Sequence, residues 1–351
     1  MNLNILIRKL FLTVIFLGLI NSCKKTDLNT ESSAFSSTLF TLLESDVTGI
    51  DFLNEVKNQK NFNIFKYRNF YNGGGVAIGD INNDGLADIY FTGNMVANKL
   101  YLNKGNLSFE DISDSAGIEG NKPWSTGVVM VDINQDGLLD IYVSNAGNLK
   151  GNNHDNDLFI NNGDLTFTEK AAEYNLAKTG FSTHASFFDY DKDGDLDAYI
   201  LNNSNIPVSS LGYAEQRDKR AQDWENVPEI FRGVGDMLLR NDNGKFVDVS
   251  EEAGIYGSLI GFGLGVMVTD MNGDLYPDIY VSNDFYERDY LYINNQDGTF
   301  TEDITNWTSH LSLSAMGVDI ADINNDGNAD IFITDMLPES DQRVKSVMEF
   351  E

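Results

Sequence analysis

The sequence predicts an all-β fold, a propeller built of four-stranded blades, on three observations. A nine-residue acidic phrase occurs five times in phase, each copy lies between two β-prone runs, and a second strand–turn–strand unit follows four of the copies. Regular recurrence of this kind marks a repeat architecture, in which each unit buries its apolar face against the next. A β-sandwich would not require it.

The phrases are DINNDGLAD (80–88), DINQDGLLD (132–140), DYDKDGDLD (189–197), DMNGDLYPD (270–278) and DINNDGNAD (322–330), with starts 52, 57, 81 and 52 residues apart. Before each stands a run of small and apolar residues: GGGVAIG, STGVVMV, THASFF, GFGLGVMVT and SAMGVDIA. After each comes a β-rich run: IYFTGN, IYVSNAG, AYILNNS, IYVSNDF and IFITDM. Strand, acidic loop, strand is the reading that the composition and lengths support.

The second unit reads LYLNKGNLSF, LFINNGDLTF, LLRNDNGKF and LYINNQDGTF, closing on Phe109, Phe167, Phe246 and Phe300. Asn and Gly at its turns tolerate the positive φ that tight hairpins need. One repeat therefore holds about four strands in about 50–60 residues, the size of a propeller blade. Trp124 and Trp307 fall in segments between blades and are assigned to packing.

The 81-residue spacing reflects an insertion at 205–235, between the second and third strands of its blade, with AEQRDKRAQDW as its one helical stretch. Loops joining strands one and two share one rim of a propeller, and loops joining two and three share the other. The acidic loops are thus expected on one face and the insertion on the opposite face. Tyr213 and Trp224 in the insertion are candidates for contact with a partner, since exposed irregular loops carry most binding surfaces.

Domain organisation is expected as follows: a signal peptide over 1–22, a polar tether over 23–37, the propeller over 38–340 and a tail over 341–351. Arg8 and Lys9 precede an apolar run, Leu10–Ile20, too short to span a bilayer. The sequence Ile20-Asn21-Ser22-Cys23 then resembles a bacterial lipobox, with Cys23, the single cysteine of the chain, as the lipidated residue. An outer-membrane lipoprotein at the cell surface or periplasmic face, held by an N-terminal lipid anchor, is the expectation.

Composition narrows the partners. The 351 residues are 42% hydrophobic, enough for a packed core, and only 5 are Pro against 31 Gly, which suits many tight turns. With 24 basic and 54 acidic residues the net charge is −30. Nucleic acid is excluded as a partner, because its phosphates require a basic surface. The acidity is concentrated in the five phrases.

In the first phrase Asp80, Asn82, Asp84 and Asp88 place oxygens at positions one, three, five and nine, and the Leu86 carbonyl adds a seventh-position donor. The corresponding sets are Asp132, Asn134, Asp136, Leu138 and Asp140; Asp189, Asp191, Asp193, Asp195 and Asp197; Asp270, Asn272, Asp274, Tyr276 and Asp278; Asp322, Asn324, Asp326, Asn328 and Asp330. Hard oxygen donors in this number suit calcium, whereas zinc takes His and Cys. About five ions are expected, which would bring the charge from −30 to about −20. An EF-hand needs Glu at position twelve, which here is Phe91, Val143, Ile200, Val281 or Ile333. The fourth phrase carries Gly273 at position four and Leu275 at position six, so its loop is expected to have an altered backbone. Asp191 in the third adds charge.

These phrases, together with GFGLGVMV and the run from YNGGGVAIGDINNDGLADIYFTGN through SNDFYERDYLYINNQDGTFTEDI to ITDMLPES, resemble the FG-GAP or VCBS repeat proteins, whose blades build integrin α-chain propellers. The layout over about 36–340 is similar to bacterial members of the cartilage acidic protein family, which often carry a C-terminal ASPIC/UnbV domain. The resemblance implies calcium ligands at the positions named above and no catalytic residues. It also implies a longer parent, with further blades and the C-terminal domain beyond this chain. A five-bladed ring is the alternative, with N-terminal strands around 39–52 and 62–67 completing the blade that the last phrase begins.

Catalysis has little basis in the sequence. The three histidines, His154, His184 and His310, form no metalloprotease or hydrolase motif. GFGLG precedes a strand and an acidic loop, not the helix that a nucleotide-binding loop requires. The expected function is a calcium-binding adhesion module for a protein or glycan ligand on the insertion face. The alternatives are a polysaccharide-acting enzyme or accessory subunit using Glu215, Asp223 and Glu225, and a non-binding structural fragment of a larger protein.

Overall fold

The computed structural model describes residues 40–120, 122–146, 153–204, 217, 219–220, 235–257, 259–285 and 287–336. The signal peptide, Cys23, the C-terminal tail and most of the insertion, including Tyr213, Glu215, Asp223, Trp224 and Glu225, lie outside the described residues.

Four complete antiparallel sheets and one strand pair follow one another along the chain. Blade one is β1 (Val76–Gly79), β2 (Asp88–Phe91), β3 (Lys99–Asn103) and β4 (Phe109–Asp111). Blade two is β5 (Ser125–Val131), β6 (Asp140–Asn145), β7 (Asp157–Asn161) and β8 (Phe167–Glu169). Blade three is β9 (Ser182–Phe188), β10 (Asp197–Asn202), β11 (Met237–Asn241) and β12 (Phe246–Asp248). Blade four is β13 (Gly263–Thr269), β14 (Asp278–Asn283), β15 (Tyr290–Asn294) and β16 (Phe300–Glu302). The fifth unit is the pair β17 (Ala315–Ala321) and β18 (Asp330–Asp335). Four single-turn helices, α1 (Ser45–Thr48), α2 (Ser113–Ala116), α3 (Ala171–Tyr174) and α4 (Ile304–Trp307), complete the described elements.

Every sheet is a meander in chain order, and the first strands stand side by side: β1 against β5, β5 against β9, β9 against β13 and β13 against β17. This is the arrangement of propeller blades around an axis. The small-residue runs of the sequence are explained there. A Cβ on Gly75 would fall 2.7 Å from the Thr126 carbonyl oxygen, and one on Gly127 would collide with that of Thr183. Threonine hydroxyls bridge the same gap: Thr126 Oγ1 donates to Ser182 O at 2.7 Å and Thr183 Oγ1 to Gly263 O at 2.8 Å.

The core lies between blades. Tyr90, Leu100, Ile141 and Phe159 join blades one and two; Tyr142, Leu158, Ile200 and Phe246 join two and three; Tyr199, Leu238, Ile279 and Tyr292 join three and four. The second strands of blades two to four are buried at every residue. Beside the fifth loop, by contrast, Ile331 and Phe332 are exposed. The strand β18 has no third-strand neighbour among the described residues.

Among the described residues no N-terminal strand joins β17 and β18 as a five-bladed clasp. Residues near the N-terminus pack on blade one instead, where Phe52 stacks on Phe91 with centroids 5.0 Å apart and Tyr101 Oη donates to Asp51 at 2.9 Å. Asn54 Nδ2 donates to Asn94 Oδ1 at 2.7 Å in the same region. Further along, Phe62, Tyr67 and Phe70 surround Trp124, which is buried as expected. Trp307 departs from its expectation: it is 44% exposed, and its Nε1 donates to Asp303 at 3.2 Å.

Candidate metal centre

Each acidic phrase forms the turn between first and second strands, and its ninth residue opens the second strand. Asp88 pairs with Gly79, Asp140 with Val131, Asp197 with Phe188, Asp278 with Thr269 and Asp330 with Ala321. The loops therefore sit at corresponding places in all five units, and the insertion, between β10 and β11, leaves from the opposite ends of the strands.

The loop conformation follows from its own side chains. Asp80 accepts the amides of Asp84 at 3.1 Å and Gly85 at 2.8 Å, Asn82 Oδ1 accepts the Asp84 amide at 3.2 Å, and Asp84 accepts the Leu86 amide at 2.8 Å. The same bonds recur around Asp132, Asn134 and Asp136, and around Asp322, Asn324 and Asp326. These carboxylates are thus drawn inward onto the turn, where backbone amides stabilise their charge. Burial raises the Asp80 carboxyl, but the amides of Gly85 and Asp84 outweigh it and hold it below its ordinary value.

The fourth loop corrects the expectation of an altered backbone. Positions four and six are left-handed in every loop, with φ 57° and 86° at Asn83 and Gly85 and 77° and 72° at Gly273 and Leu275. Asp270 still accepts the Asp274 amide at 3.1 Å and the Leu275 amide at 2.8 Å. The glycine has changed place without changing the path of the chain, and Leu275, 78% exposed, carries the unfavourable conformation.

The ninth-position aspartate has a second task that the spacing did not reveal. Asp88 accepts the Ile81 amide at 3.0 Å and the Asn103 amide, from the third strand, at 2.7 Å. Asn161, Asn241 and Asn294 donate likewise to Asp140, Asp197 and Asp278, each at 2.8 Å. The closing Asn of each LYLN-type run was the available signal. These carboxylates are buried in blades one to four, and burial, partly opposed by the donated amides, pushes Asp140 up to about 6 and Asp197 to about 7.

In the third loop, ligand oxygens of Asp189, Asp191 and Asp197 all lie within 4.8 Å of one another. Burial and the neighbouring Asp193 raise the Asp191 carboxyl, so this convergence is unfavourable for bare carboxylates. The first, second, fourth and fifth loops carry an Asn at the third position in place of Asp191. The donor set is entirely oxygen, mixing carboxylate with amide and carbonyl, and fits a hard divalent cation of calcium type.

The opposite side is aromatic and polar. A cavity of about 720 Å³ is lined by Glu55, Gln59, Phe62, Lys66, Val96 and Trp124, among others. Two insertion residues are held by blades three and four: Arg217 Nε donates to Glu287 at 2.7 Å, and Arg220 Nη2 donates to the Ile255 carbonyl. His184 lies on β9, and burial lowers its imidazole. His154 is buried with Nδ1 2.7 Å from Gly180 O, and His310 is exposed beside Ser309. The three histidines occupy separate places.

Comparison with known proteins agrees with the repeat. A family profile described as FG-GAP-like repeat matches residues 80–143, 146–200 and 270–333, a little over half of the chain. Cartilage acidic protein 1 of Xenopus tropicalis is 31% identical over 219 residues, 61% of this chain and 29% of that protein. The mouse protein of that name is 27% identical over 216 residues, 60% of this chain and 29% of its own length. The chain thus spans under a third of these relatives. Among solved structures, an Agrocybe aegerita lectin, described as recognising non-reducing terminal N-acetylglucosamine, is 18% identical with a TM-score of 0.32, covering 74% of this chain and 73% of that one. The V. cholerae biofilm matrix protein Bap1 is 12% identical with a TM-score of 0.32, covering 74% and 65%. With the phrases, the blades they open and the profile matching at the same residues, the chain belongs to the FG-GAP-like repeat family.

Proposed function

We propose that this protein is a calcium-loaded propeller that binds a protein or glycan on the face opposite its acidic loops. The observation that carries the metal half is the convergence of Asp189, Asp191 and Asp197 within 4.8 Å. Three carboxylates approach so closely at stable cost only when a cation or protons neutralise them. Calcium supplies that neutralisation and stiffens the strand ends, leaving the opposite rim free for recognition. About five ions are proposed, held by the first, third, fifth, seventh and ninth positions of each phrase.

The binding half is supported by the cavity beside the half-buried Phe62 ring, which is flanked by Glu55, Gln59 and Lys66. Aromatic faces bordered by polar groups suit sugar rings and peptide side chains alike. An anchor at Cys23 would hold the module at a bacterial outer membrane. The test is a glycan array and a pull-down from surface extracts, each run with calcium and with EDTA. Ligand retained with calcium and lost with EDTA supports the proposal. Absence of any retained ligand in both conditions refutes the binding half, and an EDTA-insensitive melting curve refutes the metal half.

A further inference from the structure

The acidic loops are tied to one another around the rim, through the residue at position four. Asn83 Nδ2 donates to the Gly137 carbonyl of the second loop at 2.9 Å, and Gln135 Nε2 donates to the Gly194 carbonyl of the third at 2.8 Å. In both cases the fourth-position side chain reaches the sixth-position carbonyl of the next loop. The third loop uses a different contact at the same place: the Lys192 ammonium stands 5.9 Å from the ring centroid of Tyr276, the seventh residue of the fourth loop. Third-strand asparagines add a reverse tie, with Asn161 Nδ2 donating to Ile81 O at 2.8 Å and Asn294 Nδ2 to Tyr190 O at 2.9 Å. The fourth loop has Gly273 at position four and so has no side chain with which to reach the fifth.

The position of these ties matters. Asn83 lies between Asn82 and Asp84, two of the proposed ligands, and is itself held at φ 57°. The carbonyl it grips belongs to Gly137, whose amide donates to Asp132 at 2.9 Å and which precedes the seventh-position carbonyl. Ordering one loop therefore fixes the acceptor that orders its neighbour, so that the second loop needs less ordering when its own ion arrives.

We infer that loops one to four bind calcium as a coupled array, that Asn83, Gln135 and Lys192 transmit the coupling, and that the fifth loop binds independently. This rests on the calcium reading above and adds to it how the ions are taken up. One neutral hydrogen bond, as at the first two junctions, corresponds to about three- to tenfold in the binding constant of the adjoining loop.

The test is equilibrium dialysis of labelled calcium against the full chain stripped of metal, with wild type, N83G/Q135G and G273N. Glycine keeps the left-handed backbone without strain while removing the side chain, as Gly273 already does in the fourth loop. The wild-type Hill slope should exceed one. The N83G/Q135G chain should bind the same number of ions with a slope reduced towards one and binding about three- to tenfold weaker at its most affected loops. G273N should steepen the slope by enlisting the fifth loop. Equal slopes and affinities for wild type and N83G/Q135G would overturn the coupling while leaving the calcium reading intact. A wild-type chain that binds no ion would overturn the calcium reading itself, and stoichiometry tells the two failures apart.

Discussion

Tyr199 donates its phenolic hydrogen to Asp236 at 2.9 Å, in the place where the second blade sets Asn156 against Tyr142 at 2.9 Å. Both acids and amides at this position also accept a second-strand amide, Asn202 for Asp236 and Asn145 for Asn156. In the first two blades the tyrosine donates to a carbonyl after the short helix, Ile118 or Leu176. In the third, the matching Ile255 carbonyl is taken by Arg220 from the insertion, and the phenol turns to Asp236. Arg220 thus takes an acceptor that the repeat itself provides.

Asp236 makes a pH prediction. Burial pushes its carboxyl up to about 7, against the lowering effect of the Asn202 amide, the Tyr199 hydroxyl and Arg220; Tyr290 and Tyr292 are the other titratable groups nearby. A raised carboxyl favours the fold when protonated. Its contribution is complete below the unfolded value of about 3.9 and is lost as pH rises through about 7. D236N carries no such titration, so its stability relative to wild type should climb between pH 4 and 7 and level off above. Urea midpoints of both chains in saturating calcium at pH 4.5, 6 and 8 measure this, and parallel midpoints would remove the argument.

Leu275 makes a second prediction. It holds φ 72° with its side chain 78% exposed, so nothing compensates the left-handed backbone. L275G should stabilise the chain by about 1 kcal/mol. It should leave the number of bound ions unchanged, since Asp270, Asn272, Asp274 and Asp278 are untouched. Thermal melts with and without calcium provide the check, and a destabilised L275G would show that the leucine packs in a way that its exposure belies.

Much of this was legible in the sequence because a repeat states its rules several times. The five phrases fixed the strand–loop–strand reading, and a nine-residue phrase with oxygens at alternate positions, repeated in phase, has few other uses. Three features were not legible, each for a physical reason. The ninth aspartate's bond to the Asn103 amide reaches the third strand, beyond the phrase itself, which loop spacing alone does not report. The tie from Asn83 to Gly137 spans two blades, and an asparagine tolerating positive φ explains its presence equally well. The fourth loop misled because glycine at position four suggested a new path, when positions four and six are both left-handed throughout.

The two roles of aspartate separate experimentally. Asp140 is buried and satisfies the Ile133 amide at 3.2 Å and the Asn161 amide at 2.8 Å. D140A should cost about 2–4 kcal/mol even in EDTA, because two buried donors lose their acceptor. The Asp132 carboxylate serves amides on an exposed turn, Asp136 at 3.0 Å and Gly137 at 2.9 Å, which water can satisfy. D132A should cost less than about 1 kcal/mol in EDTA and show its main effect as lost calcium stabilisation. Urea unfolding of the three chains in EDTA and in calcium decides it; equal costs in EDTA would mean that the ninth position is a ligand without the structural task.

Chelation and the fifth unit give the last prediction. Residue three of the second strand is tyrosine in blades one to four, Tyr90, Tyr142, Tyr199 and Tyr280, each buried with its hydroxyl bonded. In the fifth unit it is Phe332, 58% exposed on β18 beside Ile331. Among the described residues no further strand lies beside β18, and exposed apolar strands with such an edge promote pairing between copies. F332K should therefore change stability by less than about 0.5 kcal/mol, while Y142F, which removes the Asn156 and Leu176 bonds, should cost about 1–3 kcal/mol. The lysine should also reduce self-association of this 351-residue chain in sedimentation velocity runs, in calcium and in EDTA alike, because β18 exposes its apolar residues whether or not the loops hold metal. A F332K chain as destabilised as a core variant, or one that associates as wild type does, would show that this face is covered in solution.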